Sequence, residues 1–248
     1  MKSIMENIPR HAHPDIIEKF RFVPGMNRCG SRIYEILPDG YFDLAFLLSE
    51  RNCRTLLAGP YTERTKVPIG CYELFVIRFK SGRLPGIFDI KPSEIVDTMI
   101  DLTGVFGHSP ETICEMLLER KTFLEKQELM ESIICKTDLS TMSQDRVYEA
   151  ATMLIDSGGG RIQVSELAGA LGIKERTLER KFAACLGISP KKFICLVRFQ
   201  NVVEKLKSGH TTGKLTDMAY EFGFTDQSHF IRDFKSFSGV TPGDFSSF

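Results

Sequence analysis

No apolar run in the 248-residue chain exceeds five residues, as in Leu44–Leu48, whereas a membrane helix needs about 20. An integral membrane protein is therefore not expected. The amino terminus, Met1 to Arg10, has no apolar stretch of the kind that marks a secretory signal, so a cytoplasmic location is the default. The seven cysteines (Cys29, Cys53, Cys71, Cys114, Cys135, Cys185, Cys195) include no Cys-x-x-Cys, and no His is placed to complete a zinc site. Neither a disulfide framework nor a structural metal is expected, and Cys185 and Cys195, in apolar helical contexts, read as reduced small hydrophobes. Also missing are a Gly-x-Ser-x-Gly elbow, a His-Glu-x-x-His pair, a Gly-rich nucleotide loop and a recognisable carboxylate pair. Catalysis has no foothold, and no cofactor is implied.

Net charge is absent as well, with 32 basic and 32 acidic side chains. The average conceals a local asymmetry. Residues 1 to 138 hold 18 basic against 20 acidic side chains, and residues 139 to 248 hold 14 against 12. Within 174 to 207 the imbalance is sharp: Lys174, Arg176, Arg180, Lys181, Lys191, Lys192, Arg198, Lys205 and Lys207 face only Glu175, Glu179 and Glu204. A stretch this basic suits phosphates, and equally suits a solvated helix face, until geometry decides.

The first ~90 residues read as strands separated by turn residues, clearest at Arg32 to Leu37, Phe42 to Leu48, Arg54 to Ala58 and Cys71 to Phe79. In the last of these, Phe75, Ile77 and Phe79 alternate with Tyr72, Leu74, Val76 and Arg78. Both faces are largely apolar, which suits a barrel or sandwich wall. From Pro92 the period changes to about 3.6, with Ile95 and Met99, then Ile113, Leu117 and Leu118, on helical stripes, and Ser93 and Ser109 as N-caps. A helix follows from about Phe123 to Lys136. The polar segment Cys135 to Ser143 places a domain boundary near Asp138. Met142 to Ser157 is the next helix, ended by Gly158-Gly159-Gly160, which reads as a C-cap and flexible loop.

One internal repeat organises the rest. Its first copy runs Leu167-Ala168, Gly172-Ile173, Leu178, Arg180, Phe182, Gly187-Ile188-Ser189-Pro190. The second runs Met218-Ala219, Gly223-Phe224, Phe230, Arg232, Phe234, Gly239-Val240-Thr241-Pro242. Spacings agree except for one extra residue between Gly223 and Phe230. Each copy is a short helix with a small Ala inward, a Gly turn and a longer helix, the helix-turn-helix pattern. Leu178, Phe182 and Cys185, and in copy two Phe230, Phe234 and Phe237, point inward. That leaves Arg176, Glu179, Arg180 and Ala183, and Ser228, Ile231, Arg232 and Lys235, on outward faces. A major groove about 12 Å wide accepts one such helix, whose Arg and Gln side chains suit base edges. A helix over Pro190 to Ser208, with Phe193, Leu196, Val197, Val203 and Leu206 on its stripe, would span roughly 27 Å. Two readers that far apart approach the ~34 Å between successive major-groove segments on one face of DNA.

With these residues in view, about 100 residues from Met142 to Phe245 resemble the AraC/XylS-type bacterial transcription regulators, most clearly through GFTDQSHFIRDFKSFSGVTPGDF. The resemblance implies an all-helical domain over 139–248, in which two helix-turn-helix units joined by a connecting helix bind double-stranded promoter DNA. It also implies activation of transcription through contact with RNA polymerase. By motif position the DNA-facing residues are Arg176, Thr177, Glu179 and Arg180, then Gln227, Ser228, His229, Ile231, Arg232 and Lys235. Ile231 is apolar where a polar reader is usual, which points to a thymine methyl or to phosphates. Lys191 and Lys192 suit either phosphate contact or a solvated helix end.

Residues 1–138 more loosely resemble a sensor region of some of these regulators, through LPDGYFDLAF, Gly59-Pro60 and VIRFKSG. The expectation is an α+β chain: a β-barrel or sandwich-like sensor or dimerisation domain with trailing helices, then the helical domain. Arg78 and Asp43 lie among apolar neighbours, where an unpaired charge is expensive. They form either a mutual structural pair or, with Tyr41 and Phe88 as walls, a pocket for a polar or anionic small-molecule effector. The alternative is a regulator with no small ligand, whose amino-terminal domain forms a homodimer or binds a protein, with Pro110 to Lys136 as interface. His11 and His13 read as a disordered end, not a metal site.

Overall fold

The computed structural model describes residues 5–8, 16–25, 33–50, 52–70, 72–83, 87–137, 145–208 and 215–245. His11, His13, Cys29, Cys71 and the expected boundary at Asp138 lie outside them. The chain forms two compact units. One is Met1–Tyr34, Tyr41–Pro60 and Lys66–Ser143; the other is Glu35–Gly40, Tyr61–Thr65 and Gln144–Phe248.

Eight strands are described: β1 (Met5–Asn7), β2 (Ile17–Val23), β3 (Ile33–Ile36), β4 (Phe42–Leu48), β5 (Arg54–Ala58), β6 (Thr65–Pro68), β7 (Glu73–Phe79) and β8 (Met99–Asp101). Six make an antiparallel sheet in the order β1-β2-β7-β4-β5-β8, and β3 pairs with β6. Alternation along β7 assigns its two faces. Val76 and Leu74 join Val23, Leu47, Leu56 and Ile69 in a buried cluster, with Tyr34 of β3 and Val67 of β6 packed against it, so the two-stranded sheet covers this face. Phe75, with Phe20, Phe22 and Phe46, faces the other way, onto the Phe123 ring.

Phe123 opens α2 (Phe123–Lys136), which follows α1 (Pro110–Leu118). Both start where their caps dictate: Ser109 Oγ accepts from Thr112 N–H, and Thr122 and Glu125 form a reciprocal capping box. The segment after Pro92 departs from the sequence expectation. Pro92–Glu94 is one 3₁₀ turn with Lys91, not Ser93, at its start. Met99 lies in β8, paired with Ala58. Ile95 and Met99 are four apart, a spacing that satisfies period 3.6 and period 2 alike, and strand pairing decides between them. A second correction concerns the thiols: Cys53, just before β5, is disulfide-bonded to Cys114 of α1, with Cα atoms 6.3 Å apart. The two lie 61 residues apart, so no spacing rule could reveal the pair.

The second unit is helical beyond residue 145. Its helices are α3 (Arg146–Ser157), α4 (Val164–Ala170), α5 (Glu175–Cys185), α6 (Pro190–Lys207), α7 (Leu215–Glu221), α8 (Gln227–Ser238) and α9 (Pro242–Phe245). Ala168 and Ala219 are buried as the repeat requires, and α6 supplies a ring to each half. Phe193 meets Phe182, which lies against Tyr148, while Phe199 meets Phe234 and Phe237. Burial pushes the Cys185 thiol up to about 11, in keeping with its reading as a small hydrophobe. Among the described residues, no helix is long and apolar enough to cross a membrane, and no cluster of His, Cys, Asp or Glu could hold a metal ion.

Candidate nucleic-acid interface

The turns of the two helix-turn-helix copies are equivalent down to individual hydrogen bonds. After α4, Leu171, Gly172 and Ile173 N–H groups donate to the carbonyls of Leu167, Gly169 and Ala168. After α7, Phe222, Gly223 and Phe224 donate to Met218, Tyr220 and Ala219, the same three bonds 51 residues later. Gly172 (φ 66°) and Gly223 (φ 74°) occupy the left-handed conformation these turns need. The one-residue difference falls after the turn. Beyond it Gly187 and Gly239 close α5 and α8, and Ser189 and Thr241 cap the helices that follow.

Burial follows the repeat. In α5, Leu178 and Phe182 are fully buried, while Arg176, Glu179 and Arg180 are exposed and Thr177 is half-buried. In α8, Phe230, Phe234 and Phe237 are buried, Ser228, Arg232 and Lys235 are exposed, and Gln227, His229 and Ile231 are half-buried. Each helix thus presents an Arg, Arg180 or Arg232, at the matching outward position. The opening of α8 is fixed from below. Asp226 accepts from His229 N–H at 2.8 Å, a bond that holds its carboxyl below the ordinary value. The His229 ring lies between Thr225 Oγ1, 3.3 Å from Nδ1, and Asp233, 3.3 Å from Nε2. Thr216 of α7 donates to the Gln227 amide oxygen at 2.7 Å.

Three of the nine basic residues between 174 and 207 are engaged inside the unit. Lys181 Nζ meets Asp145, the cap of α3, at 2.5 Å; Arg198 bonds the Gly160 carbonyl; Lys205 pairs with Glu221. Burial pushes the Asp145 carboxyl up, but Lys181 and the Tyr148 and Val147 N–H groups outweigh it, and the net shift is down. Partners 36, 38 and 16 residues away leave no local signal in sequence. Lys192 is also partly engaged, its ammonium 4.7 Å from the centre of the Phe237 ring.

In the first unit, Tyr41, Asp43 and Arg78 come together. Arg78 donates to both Asp43 oxygens at 2.8 and 2.7 Å, and its guanidinium lies 4.9 Å from the Tyr41 ring centre. Burial disfavours the Asp43 carboxylate, yet Arg78 beside it wins and holds its pKa below the ordinary value. Phe88 is elsewhere. It packs between Phe79 and Phe106, and Phe79, adjacent to Arg78 in β7, faces the opposite side of the sheet.

Comparison with known proteins adds to this geometry. Residues 167–247 match a family model described as a helix-turn-helix domain, and residues 9–101 match one described as a domain of unknown function. Over 113 residues the chain is 26% identical to the HTH-type transcriptional activator RhaS of Yersinia pestis bv. Antiqua (strain Angola), covering 46% of this chain and 41% of that protein. Over 103 residues it is 30% identical to an uncharacterized HTH-type transcriptional regulator of Staphylococcus aureus (strain MRSA252), covering 42% of this chain and 14% of that one. The match therefore spans well under half the length of either relative. The solved structure of ToxT from Vibrio cholerae superposes with a TM-score of 0.51 at 14% identity, covering 99% of this chain and 98% of that one, a likeness of fold.

Proposed function

We propose that the chain is an AraC-family transcription regulator that binds DNA through its helix-turn-helix units and reads a bipartite promoter site by placing α5 and α8 in adjacent major grooves. The observation that carries this reading is the bond-for-bond equivalence of the two turns, with Arg180 and Arg232 exposed at matching positions. Arg176, Thr177, Glu179 and Arg180 then face one half-site, and Gln227, Ser228, His229, Ile231, Arg232 and Lys235 the other. Ile231, half-buried and without a polar group, suits a thymine methyl. RNA polymerase is the expected partner of an activator, the role for which the Yersinia relative is named.

Titration of the full chain against an operator selected from random DNA, at fixed salt, tests the assignment. Arg180→Ala should cost about 1 to 3 kcal/mol and relax base preference at one position, because a bidentate contact to a guanine is lost. Unchanged affinity for the selected site would overturn it.

The regulatory input has two readings. A polar or anionic effector at Tyr41, Asp43 and Arg78 would have to displace Asp43 from Arg78. The packing of Val23, Leu47, Leu56, Ile69, Leu74 and Val76 between the sheets favours the other reading, in which the amino-terminal unit forms a homodimer or docks a protein. Light scattering on the full chain, with and without DNA, measures this directly.

A further inference from the structure

The glycines that end α3 are not a free loop. Gly160, at φ 70°, approaches α6 so closely that a Cβ there would lie 2.7 Å from the Ile194 carbonyl oxygen and 2.9 Å from Arg198 N. Only glycine satisfies both the conformation and the contact. The Gly160 carbonyl, aimed at α6, accepts two bonds from the Arg198 guanidinium, from Nε at 3.0 Å and Nη2 at 2.7 Å. The same guanidinium lies 4.9 Å from the centre of the Phe224 ring, which is buried in the turn of the second helix-turn-helix.

Next to Gly160, Arg161 reaches the same turn by another route. Its Nε donates to Gly158 O at 3.1 Å and its Nη1 to Glu221 O at 3.4 Å, at the end of α7. Its stem covers Gly223, where an added Cβ would lie 3.0 Å from Arg161 Cγ. Two arginines therefore link the end of α3, in the first half of the unit, to the turn that leads into α8, in the second. Arg198 does so from the middle of the connecting helix. A planar guanidinium is suited to such a link, since it forks onto one carbonyl and lies flat on a ring at the same time. Neither arginine belongs to the outward faces of α5 or α8.

We infer that Gly160, Arg161 and Arg198 form a brace that fixes the phase between the two recognition helices, and so sets the half-site spacing the regulator accepts. The inference rests on the two-groove reading above. It makes Arg161 and Arg198 positioning residues of specificity that act without touching a base.

The test uses the full chain and an operator selected from random DNA by the wild-type protein. Affinity is measured at fixed salt for the intact site, for each half-site alone, and for versions with one or two base pairs inserted or one removed between halves. Arg198→Ala and Arg161→Ala should bind each isolated half-site within about twofold of wild type, which also shows that they fold. On the intact site each should lose about tenfold, and the preference for one spacing should flatten. Arg198→Lys keeps the charge but not the fork, and should behave like Arg198→Ala.

Three results would overturn the brace. One is Arg198→Ala retaining wild-type spacing preference. Another is Arg198→Lys restoring full binding, which would make Arg198 a phosphate contact. The third is equal loss on half-sites and intact site. If wild-type protein itself shows no spacing preference, the two-groove reading fails and the brace falls with it, an outcome distinct from the other three.

Discussion

At the scale of single residues, charge placement decides what each side chain can do. Asp43 and Arg78 were legible in sequence as a pair or a pocket because both sit in strands of apolar neighbours, and the register that places them opposite each other makes the pair. With Arg78 only 4% exposed, removing one partner strands the other: Arg78→Ala should destabilise the chain by about 3 to 5 kcal/mol. The pH dependence has a definite sign. A carboxyl whose folded pKa is depressed adds stability that is present above the unfolded value, near 4, and that is lost as pH falls through the folded value below it. Melting temperatures measured between about pH 2.5 and 5 should therefore drop more steeply for wild type than for Asp43→Asn; parallel curves would contradict this. Phe88 was not legible. Nothing in its neighbourhood in sequence tells which side of the sheet it faces, because it lies nine residues beyond the end of β7. Among the DNA-facing candidates, Lys192→Ala should weaken binding to all duplexes alike and reduce the salt slope by about one, whereas Arg180→Ala should act on the selected site.

At the scale of elements, α2 and α6 were readable almost to the residue, whereas α3 begins at Arg146 and not at the expected Met142, because Asp145 caps it. α2 is the plainest case: Thr122 and Glu125 cap it, and Phe123 at once enters the aromatic cluster with Phe22 and Phe75. Thr122→Ala should cost about 1 kcal/mol, seen as a lower urea midpoint by circular dichroism. Short strands were harder to see. β1, β6 and β8 have three or four residues each, too few for a period to emerge, and they exist because a neighbouring edge offers hydrogen bonds. The triple glycine misled for a related reason. Composition alone suggests freedom, while the close approach of Gly160 to α6 depends on a helix more than 30 residues downstream.

At the scale of the whole molecule, the repeat was the most informative pattern, since it compares the chain with itself and needs no long-range contact. The disulfide was the least visible, being a meeting of distant residues. Because Cys53 and Cys114 are bonded, peptide mapping with an alkylating reagent under denaturing conditions should label both only after reduction, and Cys135, Cys185 and Cys195 without it. In the folded chain exposed Cys135 should react first, because burial keeps the Cys185 thiol protonated at neutral pH. Labelling of Cys53 before reduction would disprove the bond. Net charge of zero means that attraction to DNA has to come from local groups, so binding should depend on which basic residues remain unengaged and little on the overall balance.

The two aromatic anchors of α6, Phe193 and Phe199, carry an evolutionary consequence. Each sits in a different half, and five residues of continuous helix lie between them. Adding or deleting a single amino acid between them would turn one anchor by about 100° against its partner and tear it from its socket. This stretch should therefore drift by substitution while its length stays frozen, and descendants that adopt new promoters would do so by changing the letters they recognise instead of the distance between them.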